Sequence, residues 1–234
     1  DFIAYNSAIK HIIPQSQDGS GYTAIIHNNK LFTGTSNGLY SVPVQKMQDL
    51  SFNKGNFLPV AGTMGQAWNL AEINNQLLLG HHDGAFVINE NTATTISSEP
   101  GFWNFIPIPA TVPASKILAG NYKGLRTFDF LNGHFTHSGI IPDFVESCRF
   151  VAIDKFDNTW VSHPYHGVYK LLPNNNGKTV PLLYTDKKGL PSTLNNHVYK
   201  IKNDVLVATE KGVYVYNQQN DNFEPAPFYK KLLG

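Results

Sequence analysis

The sequence predicts an all-β fold built from repeated units, and one motif that occurs five times is the main reason. In each copy a short apolar run ends in a small residue, passes through two to four mostly polar positions and reaches a glycine that opens a second strand-like run. The five glycines are Gly38, Gly84, Gly124, Gly167 and Gly212, so successive copies are 46, 40, 43 and 45 residues apart. A period of about 40 to 45 residues is typical of a β-propeller, in which each repeat forms one four-stranded blade.

Each copy of the motif has the features of a β-hairpin. The copies begin at Leu31, Leu77, Ile117, Thr159 and Val205. The nearly unbroken apolar residues before the turn are expected of an inner strand that is covered on both faces. The turn needs a residue at positive φ, which glycine adopts without steric cost, and the next strand pairs back.

Two further strands complete each predicted blade. An innermost strand precedes the motif, as YTAII from Tyr22, AWNLAEI from Ala67, WNFIPI from Trp103, RFVAI from Arg149 and HVYKI from His197. A more polar outer strand follows it, as NFLPVAG, TATTISS, HFTHSGI, VPLLYT and NFEPAPF. Prolines and polar residues are expected there because an edge strand is unpaired on one side. We therefore expect a single propeller domain over 1–234 with blades at about 19–62, 63–100, 101–144, 145–190 and 191–229. Residues 1–18 are expected to form a strand of a preceding or closing blade, and FYKKLLG at the end a stub.

Composition excludes several classes of function. The formal net charge is +1, from 18 Lys and Arg against 17 Asp and Glu, so there is no electrostatic reason to expect bound nucleic acid or an anionic membrane. No apolar run approaches the roughly 18 to 20 residues that a membrane span needs. Cys148 is the only cysteine, so an internal disulfide is impossible, and a packed structural thiol is favoured over a nucleophile.

Two stretches carry a family resemblance. GLPSTLNNHVYKI from Gly189 and DKFDNTWVSH from Asp154 resemble two-component regulator propeller repeats. Such repeats are found in the periplasmic sensor regions of Bacteroidetes hybrid two-component systems and triple-tyrosine-domain transcriptional regulators. One departure is Asp157, which stands where the family usually has glycine.

The resemblance has implications for architecture and function. It implies blades that belong to rings of about seven, so we expect a five-blade segment of a larger propeller, with a closed five-bladed ring as the alternative. It also implies a carbohydrate or related nutrient as the ligand, a periplasmic location in a membrane-anchored protein, and a neighbouring propeller, a triple-tyrosine domain and a homodimer as partners.

A candidate ligand site follows from the predicted topology. Loops between second and third strands, and loops that lead into first strands, open on the same face of a propeller, where ligands usually bind. The candidate ligand-binding residues there are Trp68, His81, His82, Trp103, Tyr122, Arg149, His163 and Tyr165. This aromatic and hydrogen-bonding mixture suits a sugar or another polar organic ligand. The alternatives are that the tryptophans only pack between blades and that the loops form a solvated rim. Arg149 either clamps a carboxylate or pairs with Glu146.

Catalytic and metal sites are not predicted. His81 and His82 are consecutive and no carboxylate stands at a recognised spacing from the histidines, so no metal ligands and no cofactor are expected. The carboxylates on the same face, Asp83, Glu146 and Glu210, are widely spaced, whereas Asp154, Asp157 and Asp204 are expected to cap turns on the opposite face. The sequence thus favours a non-catalytic sensor. A protein–protein interaction scaffold is the first alternative, and a propeller glycosidase or lyase is the second.

Overall fold

The computed structural model describes residues 14, 20–44, 57–108, 113–173 and 178–233, and their strands form five four-stranded antiparallel sheets. Sheet 1 contains β1 (Gly21–His27), β2 (Lys30–Thr35), β3 (Gly38–Pro43) and β4 (Leu58–Pro59), and sheet 2 contains β5 (Ala67–Ile73), β6 (Gln76–His81), β7 (Gly84–Asn89) and β8 (Thr92–Ser97). Sheet 3 contains β9 (Phe102–Ile108), β10 (Lys116–Asn121), β11 (Gly124–Leu131) and β12 (His134–Ile140). Sheet 4 contains β13 (Phe150–Ile153), β14 (Thr159–His163), β15 (Gly167–Pro173) and β16 (Thr179–Tyr184), and sheet 5 contains β17 (His197–Ile201), β18 (Asp204–Thr209), β19 (Gly212–Asn217) and β20 (Asn222–Pro225). A 3-10 helix spans Asp186–Lys188, and helix α1 spans Pro227–Leu233.

Strand order within every sheet follows the chain, as expected of successive hairpins. The first, second and third predicted strands of all five repeats are present, and AWNLAEI and HVYKI have the predicted bounds. Two expectations need correction. In NFLPVAG only Leu58–Pro59 pairs with β3, and residues 228–233 of the FYKKLLG segment are helical, because α1 begins at Pro227, a residue whose fixed φ suits a first helical turn. The expected strand in residues 1–18 falls almost wholly outside the described residues.

The turn glycines are required for different reasons in different repeats. Gly212 has a φ of 111° with open space around its missing Cβ, so only the backbone conformation demands glycine there. Gly84 is the opposite case. It is absent from the positive-φ residues, which corrects the sequence expectation for this repeat, but an added Cβ would collide with the carbonyl oxygen of Ser97 in β8. At position 84, therefore, glycine is required by the close approach of the outer strand and not by the backbone conformation.

The described residues fall into two compact units, one within residues 1–98 and one within 99–234. In the first unit, sheets 1 and 2 share an apolar cluster that includes Phe32, Leu39, Leu77 and Leu79. Leu77, Leu78 and Leu79 of β6 are all fully buried, although their side chains alternate between the two faces. A second strand covered on both faces was the sequence prediction, and it is confirmed here.

The second unit contains sheets 3, 4 and 5, and two apolar clusters of its described residues join neighbouring sheets. One joins sheets 3 and 4 and includes Leu118, Leu125 and Val161. The other joins sheets 4 and 5 around Trp160 and Val207. In the part of the chain that the structure describes, no helix has the length and apolar character needed to cross a membrane.

Candidate functional site

The same hydrogen bond closes the turn between second and third strands in all five sheets. The last side chain of the second strand accepts a hydrogen bond from the backbone N–H two residues further on. The pairs are Thr35 with Asn37 (3.1 Å), His81 with Asp83 (3.0 Å), Asn121 with Lys123 (3.0 Å), His163 with Tyr165 (3.2 Å) and Thr209 with Lys211 (3.1 Å). Threonine, asparagine and histidine thus perform one structural task, in the manner of Asx and Ser/Thr turns. Two histidines of the predicted ligand site, His81 and His163, use Nδ1 in this way.

Three predicted site residues lie in the first unit. His81 is 1% exposed and packs edge-on against Phe86, with ring centres 5.7 Å apart. Burial lowers the pKa of His81, which favours the neutral ring that accepts at Nδ1. Trp68 is buried, and the exposed His82 lies edge-on to it at 5.8 Å. Packing therefore accounts for Trp68 and His81, and His82 is the exposed member of this group.

Other predicted residues meet in the second unit, on a surface that we call the aromatic shelf. It consists of Tyr122, Trp103, Arg149, Phe150 and His197. The Cζ atom of Arg149 lies 4.9 Å from the Trp103 ring centre and 5.6 Å from that of Phe150. Tyr122 contacts Trp103 edge-on at 5.6 Å, and Phe150 and His197 are stacked at 4.1 Å. Sheets 3, 4 and 5 all contribute, so a row of rings with one cation in its middle crosses three successive sheets.

The backbone at the centre of the aromatic shelf is held by Asn104. Its Nδ2 donates to the carbonyl oxygen of Arg149 at 2.9 Å, and its Oδ1 accepts from the N–H of Gly120 at 3.0 Å. Arg149 is exposed, and no carboxylate of the described residues forms an ion pair with it. Burial, followed by the charge of Arg149, lowers the pKa of His197, so the ring beside the arginine is favoured in its neutral form.

Glu146 lies beside two histidines instead of forming an ion pair with Arg149. Its Oε2 is 3.4 Å from Nε2 of His163 and 3.4 Å from Nδ1 of His166. The two imidazole rings are stacked with centres 4.0 Å apart and an interplanar angle of 11°. Tyr165 is exposed next to them, with its ring centre 6.0 Å from that of His163. Burial, followed by the neighbouring His166, lowers the pKa of His163.

The predicted site residues therefore form three local groups. Trp103, Tyr122 and Arg149 meet on the aromatic shelf, His163 and Tyr165 lie by Glu146, and the other three lie in the first unit. Phe150 and His166 were missing from the predicted set. A usable signal for Phe150 is its position at the start of an innermost strand, next to Arg149.

The carboxylates of the predicted face have separate partners. Asp83 Oδ2 is 3.8 Å from Nδ1 of His81, Glu146 faces His163, and Glu210 accepts a hydrogen bond from Nδ2 of Asn195 at 2.7 Å. Within the described residues, none of these contacts joins two of the three carboxylates.

Five four-stranded antiparallel sheets in chain order define the class of protein, a β-propeller. Solved structures support this fold. The extracellular domain of BT3049, described as a hybrid two-component system of B. thetaiotaomicron, has a TM-score of 0.63 and 14% identity over 90% of this chain. The corresponding domain of BT4673 from the same organism has a TM-score of 0.60 and 16% identity over 85% of this chain. No protein-family model and no curated protein matches the sequence.

The matched regions are parts of much longer chains. This chain spans 30% of the BT3049 domain and 27% of the BT4673 domain. An ancestral GH74 enzyme is similar too, with a TM-score of 0.58, 15% identity, and coverage of 87% of this chain and 32% of that one. At these identities the likeness establishes the propeller fold, while function has to be argued from the site.

Proposed function

We propose that this chain is the ligand-sensing propeller of an extracytoplasmic, periplasmic region of a bacterial signalling protein, and that it binds a carbohydrate or related polar nutrient without chemically changing it. The observation that carries the proposal is the aromatic shelf around Arg149, an exposed cation that lies over the rings of Trp103 and Phe150. The sequence resemblance and the similarity to extracellular domains of two-component systems support the same class of function.

The chemistry of the aromatic shelf suits a polar organic ligand. Aromatic faces offer large, rigid contact areas, and a guanidinium group presents several N–H donors in a fixed planar fork. Stacking on Trp103 and Phe150 restrains Arg149, and Asn104 fixes its backbone, so little conformational entropy is lost when a ligand binds. A sugar that carries hydroxyl or carboxylate groups satisfies both parts of this surface.

The proposed sensing mechanism is a ligand-dependent shift in the populations of two arrangements of the protein. A ligand shifts such an equilibrium only as far as its affinity differs between the arrangements. In the proposed full-length protein the alternatives would be packings of this propeller against a neighbouring propeller, a triple-tyrosine domain and a second protomer.

The test is a calorimetric screen of oligosaccharides and monosaccharides, including acidic ones, against the chain and two matched variants. Arg149→Ala removes the cation of the aromatic shelf. Lys155→Ala is its control, because Lys155 is another exposed cation over a ring, with Nζ 5.1 Å from the centre of Phe156. We expect saturable binding that weakens about tenfold or more in Arg149→Ala and is unchanged in Lys155→Ala, because charged hydrogen bonds typically contribute about 1.5–3 kcal/mol.

Three results would contradict the proposal. Equal binding by Arg149→Ala and the unmodified chain would separate the ligand from the aromatic shelf. Product formation that is lost on changing Asp83 or Glu210 would favour a propeller glycosidase or lyase. Absence of any small ligand, together with a specific protein complex, would favour an interaction scaffold.

A further inference from the structure

We infer that Glu146, His163 and His166 form a binding site for a divalent transition-metal ion, with Zn²⁺ as the best-suited ion. The three side chains offer one carboxylate oxygen and two imidazole nitrogens that all lie within 4.8 Å of one another. In the part of the chain that the structure describes, this is the only group of three such ligands. Imidazole and carboxylate are the common zinc ligands apart from thiolate, and three protein ligands leave a fourth position for water or another ligand.

The distances within the group fit a shared ion better than direct hydrogen bonds. Both N···O separations at Glu146 are 3.4 Å, beyond the 2.7–3.2 Å range of ordinary N–H···O hydrogen bonds. Ligands at about 2.0–2.1 Å from a tetrahedral zinc ion are about 3.3–3.4 Å from each other. The carboxylate oxygen is therefore already at the ligand-to-ligand distance that zinc requires from both rings.

The turn between β14 and β15 does not by itself explain why His163 and His166 are histidines. Closing this turn needs one acceptor at the end of the second strand, and Thr35, Asn121 and Thr209 provide it in other sheets without a ring. His163 provides the same acceptor and adds a second nitrogen, Nε2, which lies towards Glu146. His166 has no part in that hydrogen bond and still places its Nδ1 beside the same carboxylate oxygen.

The turn at the same position of sheet 2 lacks such a group. His81 there has one carboxylate, Asp83, at 3.8 Å and is buried, and the described residues of the first unit contain no cluster of three metal ligands.

Metal binding has a local structural consequence that makes the inference specific. Coordination through Nε2 of His163 moves the ring proton to Nδ1, which now accepts from the N–H of Tyr165 at 3.2 Å. Two donors cannot face each other, so the turn around Tyr165 must move when the ion binds, and the stacked rings must rotate towards the ion. This cost should weaken zinc binding relative to a preformed site, and it predicts a change at the Tyr165 amide.

The experiment uses the untagged 234-residue chain in a buffer that does not chelate metals, titrated with Zn²⁺ in a calorimeter. Glu146→Gln and His166→Ala remove one ligand each, and both positions are at least partly exposed. His82→Ala and His134→Ala are matched controls that remove exposed histidines elsewhere. We expect one zinc ion per chain, a loss of affinity of about tenfold or more in the two ligand variants and unchanged affinity in the controls. The Tyr165 amide should shift in an NMR titration with Zn²⁺ and stay in place with Mg²⁺.

The inference is overturned if zinc does not bind, if Glu146→Gln and His166→Ala bind as tightly as the unmodified chain, or if the controls lose equal affinity. A Tyr165 amide that is insensitive to bound zinc would also overturn it, because coordination through Nε2 of His163 cannot leave that hydrogen bond intact. The zinc titration needs no carbohydrate, so its outcome is independent of the proposed sensing function.

Discussion

Two carboxylates at opposite ends of strand β13, Asp154 and Glu146, show how differently one short strand can treat the same chemical group. Asp154 follows the strand, is buried and accepts four hydrogen bonds of 2.8–2.9 Å. Glu146 precedes the strand, is only partly buried and faces two imidazoles at 3.4 Å. The first carboxylate has all of its acceptor capacity used within the fold, whereas the second retains capacity for a ligand.

The partners of Asp154 explain its role. Backbone N–H groups of Phe156 and Asn158 bind Oδ1, while the Asn158 amide and Nε1 of the buried Trp160 bind Oδ2. Burial by itself raises the pKa of Asp154, but the hydrogen bonds from Trp160, Asn158 and Phe156 outweigh it, and the pKa is lowered. This side chain closes the β13–β14 turn and anchors a core tryptophan, so its contribution is to stability.

The largest loss of stability is expected from a substitution of Asp154. Asp154→Ala leaves buried donors, including Nε1 of Trp160, without an acceptor, and should lower the free energy of unfolding by about 3 kcal/mol or more in urea denaturation. Asp204→Ala is the matched control, since Asp204 begins the second strand of sheet 5, is exposed and makes no side-chain hydrogen bond with a described residue. Asp204→Ala should change the free energy of unfolding by less than about 0.5 kcal/mol. Equal losses at Asp154 and Asp204 would remove the distinction between a saturated and an open carboxylate.

The second prediction concerns acid. Hydrogen bonds from Lys188 and Tyr184, then one from Tyr216, lower the pKa of Asp221 to about 2, and that of Asp154 is lowered too. A carboxyl group whose folded-state pKa lies below the unfolded value of about 3.9 stabilises the fold above that pH, and the stabilisation is lost as the pH falls. Stability should therefore decrease between about pH 4 and pH 2, and chemical denaturation across this range should show a shallower decrease for Asp221→Asn. An unchanged slope in that variant would exclude Asp221 as a source of the acid sensitivity.

A smaller effect on stability is expected at the other end of β13. Glu146→Gln preserves size and removes a partly exposed charge, so it should change the unfolding free energy by less than about 1 kcal/mol. The measurement is the urea midpoint of this variant beside that of Asp154→Ala. A loss at Glu146 as large as that at Asp154 would show that both ends of the strand are built for stability.

The smallest effect is expected at Asp157, in the same turn as Asp154. Asp157 has a φ of 63°, in the left-handed region that glycine adopts freely, and the resembling repeats usually have glycine there. Asp157→Gly relieves this strain and adds chain entropy to the unfolded state, so the two effects should offset to within about 1 kcal/mol. A melting temperature close to that of the unmodified chain is the expected result. A strong destabilisation would mean that the Asp157 side chain itself supports the turn.

Much of the fold could be predicted because its signals are local in sequence. The five hairpins, their turn glycines and the innermost strands depend on residues within one repeat, and the sheets have the predicted strands in the predicted order. The predictions were wrong where the local structure depends on a neighbouring element. The outer strand of sheet 1 is only two residues long, and Gly84 is required by the approach of Ser97 in β8 and not by its φ.

The candidate site was less predictable because its residues come from distant parts of the chain. The predicted topology placed Trp103, Tyr122 and Arg149 on one surface, and the structure brings them together. The alternative partner for Arg149, Glu146, lies beside His163 and His166 instead. A choice between two neighbouring partners depends on side-chain directions in adjacent loops, which sequence spacing does not encode.

The repeated four-stranded architecture was predictable from the sequence alone, because glycine at turns and apolar runs in strands act through backbone sterics and burial within each repeat. His81 and His163, by contrast, differ in a way that depends on tertiary packing. Both end a second strand and both accept the same turn hydrogen bond. One is packed against Phe86 inside the first unit, and the other lies beside a carboxylate and a second imidazole. Their difference in chemistry comes from the packing of neighbouring segments, which sets solvent access and partners that no local pattern specifies.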